Sequence, residues 1–258
     1  MASQQIQFTN PDSGHQLAGI IDRPEETEPA GWALFAHCFT CGKSLKSTRY
    51  ISRALTARNI GVLRFDFTGL GDSQGDFASS NLSSNIGDLI AAASWLEHNA
   101  SGPEILIGHS FGGAAVLQAA VQIPSTRGVV TIAAPFDPQH VTHLLDQAVE
   151  EIEEKGSAQV EIAGRSFTIG KEFVADLATH KSEERIKELG RPLLVLHSPR
   201  DPVVDIDNAR RIYQAARHPK SFISLDNADH LLSKQADALY VGDMIATWAS
   251  RYLTGPPR

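Results

Sequence analysis

The chain has 258 residues, of which 42% are apolar and 21% are charged, and its formal net charge is −7. This length and composition predict one globular domain, 1–258, with a large buried core. The negative charge argues against a nucleic-acid partner, because phosphate binding requires a basic face. No apolar run reaches the ~20 residues of a membrane span, and residues 1–5 lack the pattern of a secretory signal. We therefore expect a cytoplasmic protein with no membrane partner, and a homodimer stays open.

Apolar runs and helical patterns alternate along the chain. The predicted strands are, in order, Gln5–Phe8, Gln16–Ile21, Trp32–Ala36, Gly61–Phe65, Glu104–Ile107, Gly128–Ala133, Pro192–His197 and Ser221–Leu225. The predicted helices are Arg49–Arg58, Ser84–His98, Gly112–Gln122, Asp207–Arg217 and Ala236–Leu253. Short apolar runs bounded by turn residues are typical of strands that are buried on both faces. The alternation predicts an α/β fold with a mostly parallel eight-stranded sheet and helices on both faces.

A long insertion, residues 137–190, follows the sixth predicted strand. Its predicted elements are an acidic helix, His140–Lys155, a hairpin, Val160–Ile169, and two shorter helices, Lys171–His180 and Glu183–Leu189. A connection with this much structure of its own is more often functional than accidental. We therefore expect the insertion to form a cap over the active site, within the single domain.

The segment Gly108-His109-Ser110-Phe111-Gly112 lies between a predicted strand and a predicted helix. A G-x-S-x-G pattern in this context is typical of a nucleophile at a sharp, strained turn. Glycines on either side of the serine let neighbouring backbone pass closely, and the helix N-terminus offers N–H groups to a developing oxyanion. The pattern predicts Ser110 as the nucleophile and the amide of Phe111 as one oxyanion donor.

A serine nucleophile needs a base, and the base needs an orienting carboxylate. The chain order expected with such a turn is serine, acid, histidine. Asp201 follows the seventh predicted strand and is the predicted acid, with Asp205 as a rival, whereas Asp207 is predicted to cap a helix. Among ten histidines, His230 follows the last predicted strand and is the predicted base. His109 is next to the serine, but its side chain is expected to point away.

The second oxyanion donor is expected in the loop 36–43, after the third predicted strand. His37 resembles the histidine of the His-Gly pattern of such loops and is a predicted substrate contact, which makes the amide of Phe39 the predicted donor. Cys38 and Cys41 form a C-x-x-C pattern, which elsewhere binds metals or exchanges disulfides. Because a second cysteine pair is absent, we favour two small residues that pack a loop. We expect neither a metal nor an organic cofactor.

Three aromatic residues in or near the insertion are predicted to contact substrate: Phe136, Phe167 and Phe173. They are equally compatible with a small hydrophobic core of the insertion, and the sequence does not separate the two. The glycine-rich stretch 63–75 follows a predicted strand but lacks the Gly-Lys-Ser/Thr ending of a phosphate-binding loop. It is interpreted as a tight structural loop.

Segments 36–41, 63–71 and 107–114 together resemble the α/β-hydrolase domain that is fused to an OsmC-like domain in some bacterial proteins. The resemblance includes residues 164–169 of the insertion. The overall arrangement is also similar to that of bacterial cinnamoyl and feruloyl esterases, which share the Arg-Phe-Asp-Phe segment. The resemblance implies a serine carboxylesterase with an α/β-hydrolase fold that acts on small acyl or aryl esters, with the predicted serine, aspartate and histidine as its triad.

Two alternatives stay open. A serine peptidase or amidase of the same fold would use the same triad, which does not distinguish an amide from an ester. A non-enzymatic relative would keep the triad to bind a ligand, and slow turnover with tight binding would mark it. Dehalogenase and epoxide hydrolase chemistry is disfavoured, because those enzymes use an aspartate where Ser110 stands.

Overall fold

The computed structural model describes residues 1–145, 148–162 and 164–253. Within these ranges the chain forms ten strands: β1 (Ala2–Thr9), β2 (Gln16–Arg23), β3 (Gly31–Ala36), β4 (Ile60–Phe65), β5 (Ile105–His109), β6 (Gly128–Ile132), β7 (Ser157–Ile162), β8 (Arg165–Gly170), β9 (Leu193–His197) and β10 (Lys220–Ser224). The described helices are α1 (Lys46–Ala57), α2 (Leu82–Asn99), α3 (Phe111–Ala119), α4 (Ala148–Lys155), α5 (Lys171–Leu177), α6 (Ser182–Lys187), α7 (Asp207–Ala215) and α8 (Gln235–Ala249). Short 3-10 segments cover Phe77–Ser79, Ala120–Gln122 and Pro138–Leu144.

Eight of the described strands form one sheet, in the order β1-β2-β4-β3-β5-β6-β9-β10. β1 pairs antiparallel with β2, and β2 antiparallel with β4, whereas the other neighbours run parallel. Every residue of the five inner strands β4, β3, β5, β6 and β9 is buried, as expected for strands that helices cover on both faces. The predicted fold, a mostly parallel eight-stranded sheet with helices, is confirmed.

Two hydrophobic cores lie on the two sides of this sheet. Side chains alternate between them along each strand, so that Leu34 joins one core and its neighbour Phe35 joins the other. The first core contains buried residues of α2 and α3, and the second contains those of α1 and α8. Parallel strands end at the same edge of the sheet, and the loops that leave this edge carry the candidate site.

The insertion, 137–190, connects β6 to β9 without joining the main sheet. The predicted hairpin is confirmed, because β7 pairs antiparallel with β8 in a separate two-stranded sheet. Ala163, in its predicted turn, lies outside the described residues. The prediction of one helix over His140–Lys155 is wrong, because its first part is a 3-10 segment, Pro138–Leu144. The Asp137 side chain, just before this segment, accepts from the amide of Gln139. The helix α4 covers Ala148–Lys155, and residues 146 and 147 lie outside the described residues.

Other boundaries differ from the predictions by a few residues, and two of them lie at the ends of helices. The buried helix after the nucleophile ends as α3 at Ala119 and tightens into the 3-10 segment Ala120–Gln122, as helix ends often do. The last helix, α8, stops at Ala249 instead of Leu253. Among the described helices, none combines the length and the apolar character that a membrane crossing requires.

Candidate active site

Ser110 occupies the turn between β5 and α3. Its backbone has φ 55° and ψ −123°, a conformation that residues other than glycine rarely adopt. A Cβ atom on Gly108 would overlap the carbonyl oxygen of Gly112, and one on Gly112 would overlap that of His37. The two glycines are therefore required by the close approach of backbone, and the predicted strained turn is confirmed.

The structure brings Ser110, His230 and Asp201 together from three separate loops. Nε2 of His230 is 2.9 Å from Oγ of Ser110, and Nδ1 of His230 is 2.8 Å from Oδ2 of Asp201. A carboxylate can only accept, so Nδ1 carries the proton and Nε2 is free to accept the proton of the serine hydroxyl. This is the geometry that a general base and its nucleophile require.

The carboxylate of Asp201 is fully buried and accepts hydrogen bonds from three donors. Besides His230, it receives the backbone N–H groups of Val203 and Val204 at 2.8 and 3.0 Å on Oδ1. Burial opposes its ionisation, but the hydrogen bond and charge of His230 and these two N–H groups outweigh burial and lower the pKa of Asp201. The carboxylate is therefore ionised at neutral pH and holds His230 in the tautomer described above.

The rival carboxylates have other partners. Oδ1 of Asp205 accepts the backbone N–H of Asp207 at 2.8 Å, and Asp207 pairs with Arg210 at 2.5 Å. The prediction that Asp207 caps the helix is wrong, because Asp207 is the first residue of α7 and its amide is bound by the aspartate two residues earlier. Neither side chain hydrogen-bonds to His230.

Two buried histidines support the site, a role that was not predicted from the sequence. Nε2 of His109 is 2.7 Å from the carbonyl oxygen of His230, and Nε2 of His197 is 2.8 Å from that of Val204. A carbonyl only accepts, so each Nε2 donates. Burial, above all, lowers the pKa of both rings, that of His109 to about 3, so both stay neutral. Both residues end strands, β5 and β9, that reach the same sheet edge, and this position could have predicted that they lie close to the site.

The two predicted oxyanion donors are the amides of residues whose side chains lie next to each other in space. The rings of Phe39 and Phe111 lie 5.3 Å apart. Phe111 is the first residue of α3, where helix amides have no intrahelical acceptor. Among the described residues, the amide of Phe39 donates to no backbone carbonyl. Within the described part of the chain, the amides of both residues thus have no backbone acceptor, and their role as oxyanion donors stays a prediction.

The loop that carries Phe39 is closed on itself by a disulfide between Cys38 and Cys41. The expectation of two cysteines that only pack a loop is therefore wrong, because the turn at Thr40, with φ 60°, brings the two side chains together. Across the described ranges, no group of three His, Cys, Asp or Glu side chains could hold a metal ion.

The buried side chain of His37 supports the same loop through hydrogen bonds to backbone groups. Its side chain is 1% exposed, Nδ1 is 2.8 Å from the carbonyl oxygen of Cys38, and Nε2 accepts from the amide of Phe67 at 3.4 Å. Burial lowers the pKa of His37, which favours this neutral form. Because backbone groups bind both ring nitrogens, we assign His37 to support of the loop, in place of the predicted substrate contact.

The predicted aromatic contacts separate into two groups. Phe173 lies 5.3 Å from Phe39, and Phe167 lies 5.1 Å from Phe77. These two rings of the insertion join an aromatic cluster next to Ser110. The cluster also contains Phe39 and Phe77, which were not predicted as pocket residues. Ser110 itself is only 8% exposed.

Phe136 has a different environment. The guanidinium of Arg211 stacks over its ring at 4.1 Å, and its amide donates to the side chain of Asn208 at 3.0 Å. Both partners belong to α7, so Phe136 fixes the start of the insertion against the main body. Phe136 thus packs against α7, and its predicted contact with substrate stays a prediction.

Comparisons with known proteins identify the family and agree with the fold. A model of the alpha/beta hydrolase family matches residues 31–241. The esterase domain of a Rhodothermus marinus protein is 46% identical in its crystal structure, with 98% of this chain and 100% of that chain covered and a TM-score of 0.81. Est1E from Butyrivibrio proteoclasticus, solved with ferulic acid, is 17% identical, with 96% and 98% covered and a TM-score of 0.83, which is a likeness of fold. The mitochondrial palmitoyl-protein thioesterase ABHD10 of Rattus norvegicus is 28% identical over 183 residues, 68% of this chain and 60% of that protein.

Proposed function

We propose, from the premise that this chain belongs to the alpha/beta hydrolase family, that it is a serine carboxylesterase acting on small acyl or aryl esters. The hydrogen-bonded line from Asp201 through His230 to Ser110, at a strained turn, carries the proposal. The similarity to the Rhodothermus marinus esterase domain supports the same reaction class.

The proposed reaction has two halves. His230, oriented by Asp201, removes the proton of Ser110 as its oxygen attacks the ester carbonyl. The amides of Phe111 and Phe39 stabilise the oxyanion, and each such donor contributes about 3 kcal/mol to lowering the barrier. His230 then gives the proton to the leaving alcohol, and water, activated by the same histidine, hydrolyses the acyl-enzyme and restores the serine.

We further propose that the insertion, 137–190, is a cap within the single domain 1–258. Two of its aromatic rings, Phe167 and Phe173, pack against rings that surround the nucleophile. An apolar enclosure of this kind excludes water and strengthens the polar interactions that act on the reacting atoms. The same rings form an apolar wall suited to an acyl or aryl group.

Hydrolysis of a substrate panel tests the proposal. The panel contains p-nitrophenyl esters from acetate to laurate and methyl ferulate, each with the wild type and with Ser110→Ala. We expect turnover by the wild type and its loss by roughly 10⁴-fold or more in Ser110→Ala, with unchanged folding. Ser101→Ala, at an exposed position, is the matched control and should retain the wild-type rate. Full activity of Ser110→Ala would refute the proposal.

Thioester hydrolysis is a second candidate, favoured by the similarity to the palmitoyl-protein thioesterase. The triad geometry serves both reactions, since each passes through an acyl-serine and an oxyanion. Acyl-coenzyme A substrates, followed through the released thiol, form the second arm of the panel. A higher kcat/KM for thioesters than for matched oxygen esters would assign the thioesterase class. Hydrolysis of p-nitroanilides instead would assign an amidase, and binding without turnover a ligand-binding protein.

A further inference from the structure

Arg165 links the insertion to the loop that carries Phe39. It is the first residue of β8, and its guanidinium Nη2 donates to the carbonyl oxygen of Thr40. The same guanidinium lies 5.1 Å from the ring centroid of Phe167. A cation of the insertion thus binds the residue directly after the proposed oxyanion donor, and the mechanism above makes no use of it.

The residue that Arg165 contacts has an unusual backbone. Thr40 is buried and has φ 60°, a left-handed conformation that residues other than glycine adopt only when their surroundings hold them. From within the loop, the disulfide and the hydrogen bond from the amide of Cys41 to the carbonyl of Cys38, at 3.1 Å, close this turn. Arg165 adds a charged donor from outside, which fixes the direction of the Thr40 carbonyl.

The far end of the loop is anchored in the main body. Oδ1 of Asp66 accepts the amide of Lys43 at 2.6 Å, and the Lys43 ammonium pairs with Asp66 and Asp72. Arg64 donates to the carbonyl of Lys43. These contacts hold the base of the loop, whereas the tip, with Phe39 and Thr40, receives its charged contact from the insertion.

The position of Arg165 depends in turn on how the hairpin lies on the main body. Phe167 packs against Phe77, and a Cβ atom on Gly170 would lie 2.9 Å from the carbonyl oxygen of Ala78, so the hairpin backbone sits directly on the 3-10 segment 77–79. The guanidinium reaches Thr40 only when the hairpin lies there.

We propose that Arg165 is a positioning residue for the oxyanion donor. With the hairpin in place, its hydrogen bond to Thr40 holds the loop so that the amide of Phe39 points at the developing oxyanion. The inference rests on the proposed function, because an oxyanion donor has a role only in acyl or thioacyl transfer. The contact acts through the loop and leaves ground-state binding alone, so its loss lowers kcat with little effect on KM.

Arg165→Ala, Arg165→Lys and Arg165→Gln test the proposal, with Arg185→Ala, in α6 of the same insertion, as the matched control. With p-nitrophenyl butyrate, we expect Arg165→Ala to lose about 10-fold in kcat, with KM within about twofold of the wild type. The affinity for a trifluoromethyl ketone, which forms a tetrahedral adduct with the serine, should fall by the same factor. Arg165→Lys, which keeps a cationic donor, should recover part of the loss, and Arg185→Ala should equal the wild type.

Chemical rescue separates positioning from a general loss of structure. Methylguanidinium added to Arg165→Ala should restore kcat, because it replaces the missing donor, and should leave the wild type and Arg185→Ala unchanged. If Arg165→Ala does not fold, kcat of Arg165→Lys is compared with that of Arg165→Gln. Because only lysine keeps the charge, a higher kcat for Arg165→Lys supports the proposal, and equal values contradict it.

An unchanged kcat and inhibitor affinity in a folded Arg165→Ala would overturn the proposal. So would a rise in KM at constant kcat, which would make Arg165 a substrate contact. The Ser110→Ala enzyme, measured in parallel, distinguishes the two levels of failure. Absence of any serine-dependent turnover refutes the proposed function and the role of Arg165 together, whereas serine-dependent turnover that is indifferent to Arg165 refutes the positioning role alone.

Discussion

The turn at Ser110 and the loop at Phe39 meet at the same site but are held by different forces. The turn is held by backbone packing, since Gly108 and Gly112 leave no space for a side chain against neighbouring carbonyls. The loop is held by side-chain contacts, some from within it, through His37 and the disulfide, and some from outside it, through Asp66 and Arg165. The nucleophile therefore has one rigid, local support, while the predicted oxyanion donor depends on several separately removable contacts.

The largest effect is expected where the turn and the loop touch. A Cβ atom on Gly112 would overlap the carbonyl oxygen of His37 and lie 2.5 Å from that of Ala36. Gly112→Ala should therefore push the two apart and lower kcat by about 10²-fold or more, since a displacement near 1 Å has such an effect. The measurement is kcat with p-nitrophenyl butyrate, together with a circular dichroism spectrum.

Gly87→Ala is the control for this substitution. Gly87 lies in α2, and the nearest atom to its Cβ position is 3.7 Å away. This variant should keep the wild-type rate and gain up to about 1 kcal/mol of stability from the better helix former. A Gly112→Ala enzyme as active as Gly87→Ala would show that the turn is not held by backbone packing.

A smaller effect is expected when the loop loses its internal closure. The Cys38→Ser/Cys41→Ser double variant removes the disulfide but leaves the anchors at Lys43 and Thr40. We expect kcat to fall about 10-fold, below the loss of a whole oxyanion donor, because the amide of Phe39 keeps part of its support. Stability should fall by about 2 kcal/mol, less than for a disulfide that closes a long loop.

Reduction of the wild type provides the matched measurement. A phosphine reductant should lower the wild-type kcat to that of the double serine variant and leave the variant itself unaffected. Full wild-type activity after reduction, with two thiols titrated per chain, would show that the disulfide contributes nothing to the donor.

The smallest effect on kcat is expected on the nucleophile's side, where the measured change is in the pH dependence of stability. Burial lowers the pKa of His109 to about 3, whereas an unfolded histidine titrates near about 6.5. Between these values the unfolded chain binds a proton that the folded chain does not, so stability decreases as pH falls, by about 1.4 kcal/mol per pH unit. His109→Gln keeps a donor for the carbonyl of His230 but does not titrate, so it should remove this contribution and reduce the total slope, to which the buried His37 and His197 also contribute.

Urea unfolding at several pH values between about 4 and 7 measures that slope. The exposed His98 supplies the control, and His98→Gln should keep the wild-type dependence. An unchanged slope in His109→Gln would show that the ring of His109 is not held neutral by burial.

The two regions also differ in what their sequences reveal. The turn is encoded by five consecutive residues between a strand and a helix, which predicts Ser110. The acid and the base follow from the order of the strands, which predicts Asp201 and His230. The support of the loop could not, because it depends on the left-handed turn at Thr40 and on Arg165, which is 125 residues away in sequence. Contacts of this range are decided by tertiary packing, which no local pattern contains.

The mistaken helix in the insertion has a similar cause. Residues 140–155 were predicted as one acidic helix, but the proline and aspartate before them start a tighter 3-10 segment instead. The roles of His109 and His197 could not be predicted either, because their local sequence carries no special pattern. Each lies in an ordinary buried strand, and only the meeting of β5 and β9 with the loops of the base and the acid gives either ring its partner.

The two cores described on either side of the sheet give the active site a mechanical property. The helix after the nucleophile is rooted in one core, through Phe111 and Val116, whereas the loop of the base is rooted in the other, through Leu225 and Leu232. The hydrogen bond between serine and histidine therefore joins residues that are anchored in two different layers. A shift of one layer relative to the other would change the distance between Oγ of Ser110 and Nε2 of His230, so the rate of catalysis depends on the alignment of the two layers.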